Sequence, residues 1–215
     1  MNGKLNGKRV LLADDHAMVR LGFRLLLEGE GAQVVGEAQD GETALRRYAE
    51  LNPDLLVMDV SMPGIGGIAA LERLLAWDAT ARVLMLSAHH DDVVPVRALR
   101  AGAAGYLCKR SAPETFIDAV AAVLAGRRYI DPELAQRVAL AQLAGSSSPV
   151  DCLTDKELAV FLKLAGGCTV ADVAEDFCLS PSTVGTHLYH IKQKLSAQNA
   201  SELTLIALRN GLLEV

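Results

Sequence analysis

Asp14, Asp15, Asp59, Ser87 and Lys109 each stand at or just past the end of a short apolar run. Together they are three carboxylates, a hydroxyl and an ammonium, the parts needed to hold a divalent cation and a phosphoryl group. Magnesium takes oxygen ligands in octahedral geometry and keeps several waters, so one or two carboxylates plus a phosphate suffice. A carboxylate can also attack phosphorus and become an aspartyl phosphate. The cation neutralises charge on the transferring group from one side, and a lysine does so from the other. A serine hydroxyl can donate to a phosphoryl oxygen. Any one of these residues alone reads as a helix cap, but the five in this order read as one site.

That site exists only if the apolar runs lie side by side. They are Val10-Leu11-Leu12-Ala13, Leu55-Leu56-Val57-Met58, Val83-Leu84-Met85-Leu86 and Gly105-Tyr106-Leu107-Cys108. From about residue 8 to 125 strand and helix alternate five times, with helices near 16–29, 40–51, 65–77, 91–102 and 113–125. Gly31, Gly102 and Gly126 sit where helices should stop, and Gly64, Gly66 and Gly67 mark a loop. Regular β-α alternation implies a doubly wound, five-stranded parallel sheet covered by helices on both faces. In such sheets, residues at the carboxyl ends of the strands converge on one crevice.

Beyond Gly126 the strand signal disappears. Asp131-Pro132 starts a helix that runs to Leu143, and Ala144-Gly145-Ser146-Ser147-Ser148-Pro149 is the best linker in the chain. Residues 151–215 carry only helical punctuation. Thr154-Asp155-Lys156-Glu157 is a capping box, Thr169-Val170-Ala171-Asp172 a similar start, Ser180-Pro181 a cap followed by proline, and Asn199 opens a last helix that Gly211 closes. The expected organisation is an α/β domain over 8–125, a connector helix and flexible linker over 126–150, and an all-α four-helix module over 151–215.

The 215 residues are 51% apolar and 22% charged, ordinary for a water-soluble globular protein. A net charge of −5 offers no overall basic field for nucleic acid or anionic membrane. Cys108, Cys152, Cys168 and Cys178 form no Cys-x-x-Cys pair and no zinc spacing, which suits a reducing compartment. The amino terminus has no apolar core of signal-peptide length, and no apolar run approaches the roughly 18 residues that span a membrane. A cytoplasmic protein without membrane contact is expected.

Residues 8–125 resemble the receiver domain of two-component response regulators. The matching stretches are Val10-Leu11-Leu12-Ala13-Asp14-Asp15-His16, Met58-Asp59-Val60-Ser61-Met62-Pro63-Gly64, Leu86-Ser87-Ala88 and Gly105-Tyr106-Leu107-Cys108-Lys109. The resemblance implies a flavodoxin-like fold with Asp59 as phosphoacceptor. It implies Mg2+ held by Asp15 directly, Asp14 largely through water, Asp59, and the backbone carbonyl of Ser61. Lys109 and Ser87 would contact the phosphoryl group, with Ser87 and Tyr106 as the switch pair, the ring moving into space that the hydroxyl leaves. A sensor histidine kinase is the implied partner. The domain would catalyse its own phosphorylation and slow hydrolysis and turn over no metabolite. Haloacid-dehalogenase-like phosphatases also use an aspartate nucleophile, but with a second acid two residues on, where this chain has Ser61.

In the carboxyl-terminal module, two helices joined by Phe177-Cys178-Leu179-Ser180 resemble a helix-turn-helix. Val184, Leu188, Ile191 and Leu195 are spaced to face inward on the second helix. Ser182, Thr183, Gly185, Thr186, Tyr189, His190, Lys192 and Lys194 are the residues expected to meet DNA. The pattern Leu153-Thr154-x-Lys156-Glu157, Val173-Ala174, Leu179-Ser180-x-Ser182-Thr183-Val184-x-Thr186-His187, Ile191-x-x-Lys194-Leu195 and Glu202-Leu203 resembles the LuxR/NarL-type DNA-binding domain. Tyr129-Ile130-Asp131-Pro132 and the stretch from Glu202 to Leu212 are similar to the GacA/UvrY kind of regulator. The resemblance implies a phosphorylation-controlled transcription factor. It would bind double-stranded DNA at two half-sites as a homodimer, with RNA polymerase as a further partner. The dimer face stays open between the fourth and fifth helices with their strand and the first and fifth helices.

Residues 151–215 hold five Lys/Arg and eight Asp/Glu, a net −3, and Gly185 stands in the recognition helix. A second reading is thus an output module that has drifted from DNA toward a protein partner. Phosphate neutralisation dominates non-specific DNA affinity. Monomeric 151–215 is therefore expected to bind random DNA weakly and with steep salt dependence. Tight binding at physiological salt in a filter or anisotropy assay would overturn that expectation.

Overall fold

The computed structural model describes residues 3–88, 93–143, 149–177, 179–210 and 212–213. Residues 144–148 of the linker read at 144–149, Cys178 and the stop read at Gly211 lie outside these residues. The chain divides into two compact units, one made of 1–88 and 97–132 and holding the sheet, the other of 89–96 and 133–215.

In the first unit the strands are β1 (Arg9–Ala13), β2 (Gln33–Ala38), β3 (Leu55–Asp59), β4 (Val83–Ser87), β5 (Gly105–Cys108) and β6 (Tyr129–Ile130). They form one parallel sheet in the order β2-β1-β3-β4-β5-β6. The intervening helices are α1 (Ala17–Gly29), α2 (Gly41–Leu51), α3 (Gly67–Trp77), α4 (Val93–Arg100) and α5 (Pro113–Leu124). Helix α1 packs beside α5, and α2 beside α3. Alternation along each strand sorts the side chains by face. Val10, Leu12, Leu55, Val57, Leu84, Leu86 and Leu107 join Leu27 of α1 and Phe116, Ile117, Val120 and Val123 of α5 in one core cluster.

The doubly wound parallel sheet is as the alternation implies, with one strand more than the five expected. β6 has two residues and no apolar run to announce it. Its cause is backbone geometry: Gly126 turns the chain at φ +77°, and the Tyr129 N–H then donates to Ala104 O at 3.0 Å. Gly105, paired with Tyr129, leaves room for this, because a Cβ there would lie 3.0 Å from Tyr129 O.

The second unit holds α6 (Pro132–Leu143, whose first residue closes the first unit), a 3₁₀ turn (Pro149–Cys152) and the four expected helices. These are α7 (Asp155–Ala165), α8 (Val170–Asp176), α9 (Pro181–Leu195) and α10 (Ala200–Arg209). Both capping boxes form: Thr154 with Glu157, and Thr169 with Asp172. Ser180 and Asn199 accept from Thr183 N and Glu202 N, each satisfying an N–H that a helix start leaves unpaired. Helix α7 packs on α9 and α10, and α8 on α9.

One contact ties the helix layer to the strand that carries Asp59. Gly67, at the first position of α3, donates its N–H to Val60 O at 2.9 Å, and an added Cβ would lie 2.0 Å from Asp59 O. Backbone cannot yield as a flexible side chain can. Gly67→Ala is expected to destabilise the sheet unit by about 1–3 kcal/mol, the usual range for overpacking. Urea denaturation checks this, and an unchanged midpoint would contradict it.

Candidate functional site: an acidic crevice and a helix-turn-helix face

Strand register brings the five singled-out residues to one edge. Ala13 pairs with Met58, Asp59 with Leu86, and Ser87 with Cys108. Asp14 and Lys109 follow directly on β1 and β5, and Asp59 and Ser87 end β3 and β4. Short backbone bonds hold the strand ends together: Asp14 N to Ala38 O at 3.1 Å, Val60 N to Leu86 O at 2.9 Å, and Lys109 N to Ser87 O at 2.7 Å.

Asp59 and Asp14 are buried, at 2% and 3% exposure. The Lys109 ammonium lies between them, 2.6 Å from Asp14 Oδ2 and 2.8 Å from Asp59 Oδ2. Among the described residues, the buried Asp59 Oδ1 accepts no hydrogen bond. Burial pushes the Asp59 carboxyl above its ordinary value. Lys109 opposes this, the Asp14 charge adds to it, and the nearby Ser61 amide lowers it. Burial works against the charged form of Lys109, but the two carboxylates outweigh it and hold its pKa above the usual lysine value.

Ser87 is fully buried at the last position of β4, and Tyr106 is buried in β5. Because Ser87 pairs with Cys108, Tyr106 lies two residues back on the same face of the sheet and is its diagonal neighbour. Ser61 lies half-buried in the loop after Asp59.

Two residues near this cluster carried no sequence expectation. His16 offers a ring nitrogen to the same cluster as Asp14, Asp15 and Asp59, with the four ligand atoms within 4.8 Å of one another. Its position directly after two acids was the available signal. Arg20 donates Nε to Glu37 Oε2 at 3.0 Å and Nη1 to the carbonyl of Asp14, tying the end of β1 to β2. No signal in the sequence joins Arg20 to a residue seventeen positions away.

On α9, Val184, Ile191 and Leu195 are buried and Leu188 is half-buried, the inward face expected. Ser182, Thr183, Thr186, Tyr189 and His190 are exposed, Tyr189 at 61%. Gly185 is half-buried, and a Cβ there would meet nothing within 4 Å. The Tyr189 and His190 rings lie 5.8 Å apart.

The two lysines expected to meet DNA both make contacts within the module. Lys194 Nζ lies 2.6 Å from Glu157 Oε2, the oxygen that also accepts the Thr154 N–H of the capping box. Glu157 is buried, and a buried carboxylate requires a partner. Burial alone would raise its pKa, but Lys194 and Thr154 hold it below the ordinary glutamate value. Lys192 Nζ reaches Gln198 O at 3.3 Å, past the end of its own helix.

A buried acid pair bridged by lysine at the carboxyl edge of a parallel sheet, joined in one chain to a helix-turn-helix bundle, defines a phosphorylation-responsive regulator. The comparisons with known proteins agree. The model of the response regulator receiver domain matches residues 10–121, and that of bacterial regulatory proteins of the luxR family matches 151–207. Response regulator GacA of Pseudomonas viridiflava is 42% identical over 209 residues, covering 96% of this chain and 98% of that protein. Response regulator UvrY of Escherichia coli K12 is 40% identical over 206 residues, covering 94% of each. Among solved structures, RcsB of Salmonella enterica serovar Typhimurium bound to promoter rprA with phosphomimetic BeF3− aligns at TM-score 0.64 and 27% identity. That alignment covers 94% of this chain and 98% of RcsB. A LuxR-family response regulator from Aurantimonas sp. SI85-9A1 aligns at TM-score 0.62 and 42% identity over 64% of this chain and 99% of that one. The chain belongs to the two-component response regulators whose receiver domain is followed by a luxR-family DNA-binding domain, and it regulates transcription. Among the described residues no helix is long and apolar enough to cross a membrane.

Glu157 sets a pH dependence. Its folded pKa is depressed, so its contribution to stability is complete above the ordinary value of 4.5 and is lost as pH falls through the folded one. Lys194→Met is expected to destabilise the carboxyl-terminal unit by about 1–3 kcal/mol at neutral pH, the cost of leaving a buried group unpaired. The gap to wild type should narrow in acid, where a protonated Glu157 no longer needs the ammonium. Denaturation curves at a series of pH values check this, and a gap independent of pH would contradict it.

Proposed function

We propose that Asp59 is the phosphoacceptor of this regulator and that its phosphorylation by a sensor histidine kinase controls dimerisation and DNA binding. The observation that carries this reading is the Asp59 carboxylate itself. One oxygen is fixed by Lys109, and the other is buried with no donor among the described residues. An orphaned buried oxygen beside two more acids suits attack on phosphorus. The residues fit Mg2+, which Asp14, Asp15, Asp59 and the Ser61 carbonyl would hold. When bound, it supplies neutralisation of charge on the phosphoryl oxygens.

In the transfer, an Asp59 oxygen forms a bond to phosphorus as the phosphorus–nitrogen bond of a phosphohistidine breaks, and the imidazole leaves with the electron pair. Lys109, already between Asp14 and Asp59, stays within reach of the new phosphoryl oxygens. Ser87 donates to one of them, and Tyr106, on the same face of β4-β5, follows the hydroxyl. Water later hydrolyses the acyl phosphate, which is the domain's only turnover.

The DNA-binding surface is the exposed side of α9: Ser182, Thr183, Gly185, Thr186, Tyr189 and His190, with Lys192 at its carboxyl end. Lys194 serves this surface indirectly by holding α9 to Glu157. A module of net −3 gains little from phosphate contacts, so two copies on two half-sites supply the affinity that one lacks. The relative RcsB is seen on promoter DNA, and two RcsB dimers on two parallel DNAs. RNA polymerase would be a further partner of the DNA-bound dimer, and the cytoplasm its compartment. The same −3 charge favours the second reading, a protein partner for α9.

Acetyl phosphate with Mg2+ is expected to convert the wild-type chain to a dimer in sedimentation experiments, and Asp59→Asn to stay monomeric. Unchanged dimerisation of Asp59→Asn would refute the switch.

A further inference from the structure

Asp14 is held by its backbone as well as by its carboxylate. Its N–H, in the peptide shared with Ala13, donates to Ala38 O at 3.1 Å. Its carbonyl, in the peptide shared with Asp15, accepts from Nη1 of Arg20. A planar peptide moves as a unit, so fixing both planes fixes the two backbone dihedrals between them. The direction of the Asp14 side chain follows. Its Oδ1 accepts the His16 N–H at 2.9 Å, and its Oδ2 lies 2.6 Å from Lys109 Nζ.

The neighbouring strand supplies the first of these backbone holds, whereas the second depends on one side chain. Arg20 stands in the first turn of α1, with 14% of its side chain exposed. Its Nε donates to Glu37 Oε2 at 3.0 Å. A guanidinium is a rigid planar fork, so anchoring one arm on Glu37 aims another at Asp14. Arg24 takes the other carboxylate oxygen, Oε1, from Nε at 2.9 Å, and also pairs with Glu28. Burial alone would raise the Glu37 pKa, but Arg20 and then Arg24 hold it below the ordinary glutamate value. Glu37 is therefore an anion at neutral pH, and the anchor of Arg20 persists there.

With Asp59 read as the phosphoacceptor, we infer that Arg20 is a positioning residue for phosphoryl transfer. It acts through Asp14, whose carboxylate sets where the Lys109 ammonium lies, 2.8 Å from Asp59 Oδ2. Lys109 must meet charge that develops on the phosphoryl oxygens only as the bond to Asp59 forms. An Asp14 peptide free to rotate lets that ammonium drift before the charge appears. Misplacement of about 1 Å at a reacting centre costs up to roughly a hundredfold in rate. Glu37, Arg20, Asp14 and Lys109 thus form one line of contacts from the edge strand β2 to the phosphoryl group.

The test follows phosphorylation of the full-length chain by acetyl phosphate at saturating Mg2+. An Asp59 oxygen bonds to phosphorus, and acetate leaves with the electron pair of the bond that breaks. Initial rates over a range of acetyl phosphate separate maximal rate from half-saturation in wild type, Arg20→Met, Arg20→Lys and Arg24→Met. Methionine keeps an unbranched stem and loses the donors. Arg20→Met should lower the maximal rate by roughly tenfold or more, with half-saturation moving by less than about twofold, as for a contact used in the transition state alone. Arg24→Met also removes an arginine from Glu37 but leaves the Asp14 carbonyl held, and should keep the maximal rate within about twofold of wild type. Arg20→Lys keeps charge and stem and so preserves the fold where methionine does not. One ammonium cannot replace the fork across both oxygens, so its maximal rate should still fall severalfold. A wild-type maximal rate in Arg20→Lys overturns this inference alone. So does a loss carried by half-saturation only, or an equal loss in Arg24→Met, which would make the whole ion-pair cluster structural. A wild-type chain that acetyl phosphate leaves unmodified at Asp59 overturns the phosphoacceptor reading and this one with it.

Discussion

The receiver is organised around one ammonium between two buried carboxylates. Lys109 touches both Asp14 and Asp59, and the three groups come from three different strands. Two like charges with little access to water are unfavourable unless a counter-charge lies within hydrogen-bond reach. That requirement constrains the sheet. Lys109 must follow β5, Asp59 must end β3, and the β3-β4-β5 register must be correct to the residue. A slip of one residue would turn Asp59 and Ser87 to the opposite face. The backbone bonds at the strand ends and the close approach of Gly67 to Asp59 O fix that register where the charges meet.

The carboxyl-terminal unit repeats the device on a smaller scale. Glu157 is the third residue of α7 and completes the capping box with Thr154, yet it is also the partner of Lys194 at the far end of α9. A single carboxylate therefore starts one helix and anchors another. The lysine that does the anchoring looks in the sequence like a phosphate ligand. The recognition helix gains a fixed orientation and loses one of its two positive charges. In a module of net −3, the proposed docking would then fall to hydroxyls, rings and backbone, and to Lys192 in competition with Gln198 O.

What was legible in the sequence follows from what local chemistry encodes. β1, β3, β4 and β5 were readable because buried parallel strands are continuous apolar runs, and their polar ends were readable because such sheets gather function at one edge. The caps of α7, α8, α9 and α10 were readable because each is a contact over three residues. β6 was not, since Tyr129 and Ile130 pair through backbone atoms alone and depend on the glycine at 105. Nor was the pair Glu157–Lys194, whose members are 37 residues apart and meet only when α7 and α9 pack. His16 was passed over for the opposite reason. Its exposure makes it ordinary by itself, and only the positions of Asp14, Asp15 and Asp59 around it make it a donor.

Two glycines show how to separate the demands of the fold from those of a ligand. Gly67 has no freedom to change, because a Cβ would strike the backbone of Asp59, and the fold alone explains it. Gly185 lies in mid-helix with a helical backbone and open space where a Cβ would be. It costs α9 about 1 kcal/mol relative to alanine, and nothing among the described residues would crowd a Cβ there. The unpartnered Asp59 Oδ1 is the same kind of observation in the receiver, a buried polar atom that the fold leaves unsatisfied. Such features gain their rationale only from something that arrives. At Asp59 that would be the proposed phosphoryl group with its cation. At Gly185 the missing side chain lets a surface come close to the helix backbone, and its setting among Ser182, Thr186 and Tyr189 suits the hydrogen-bonding edge and backbone of DNA.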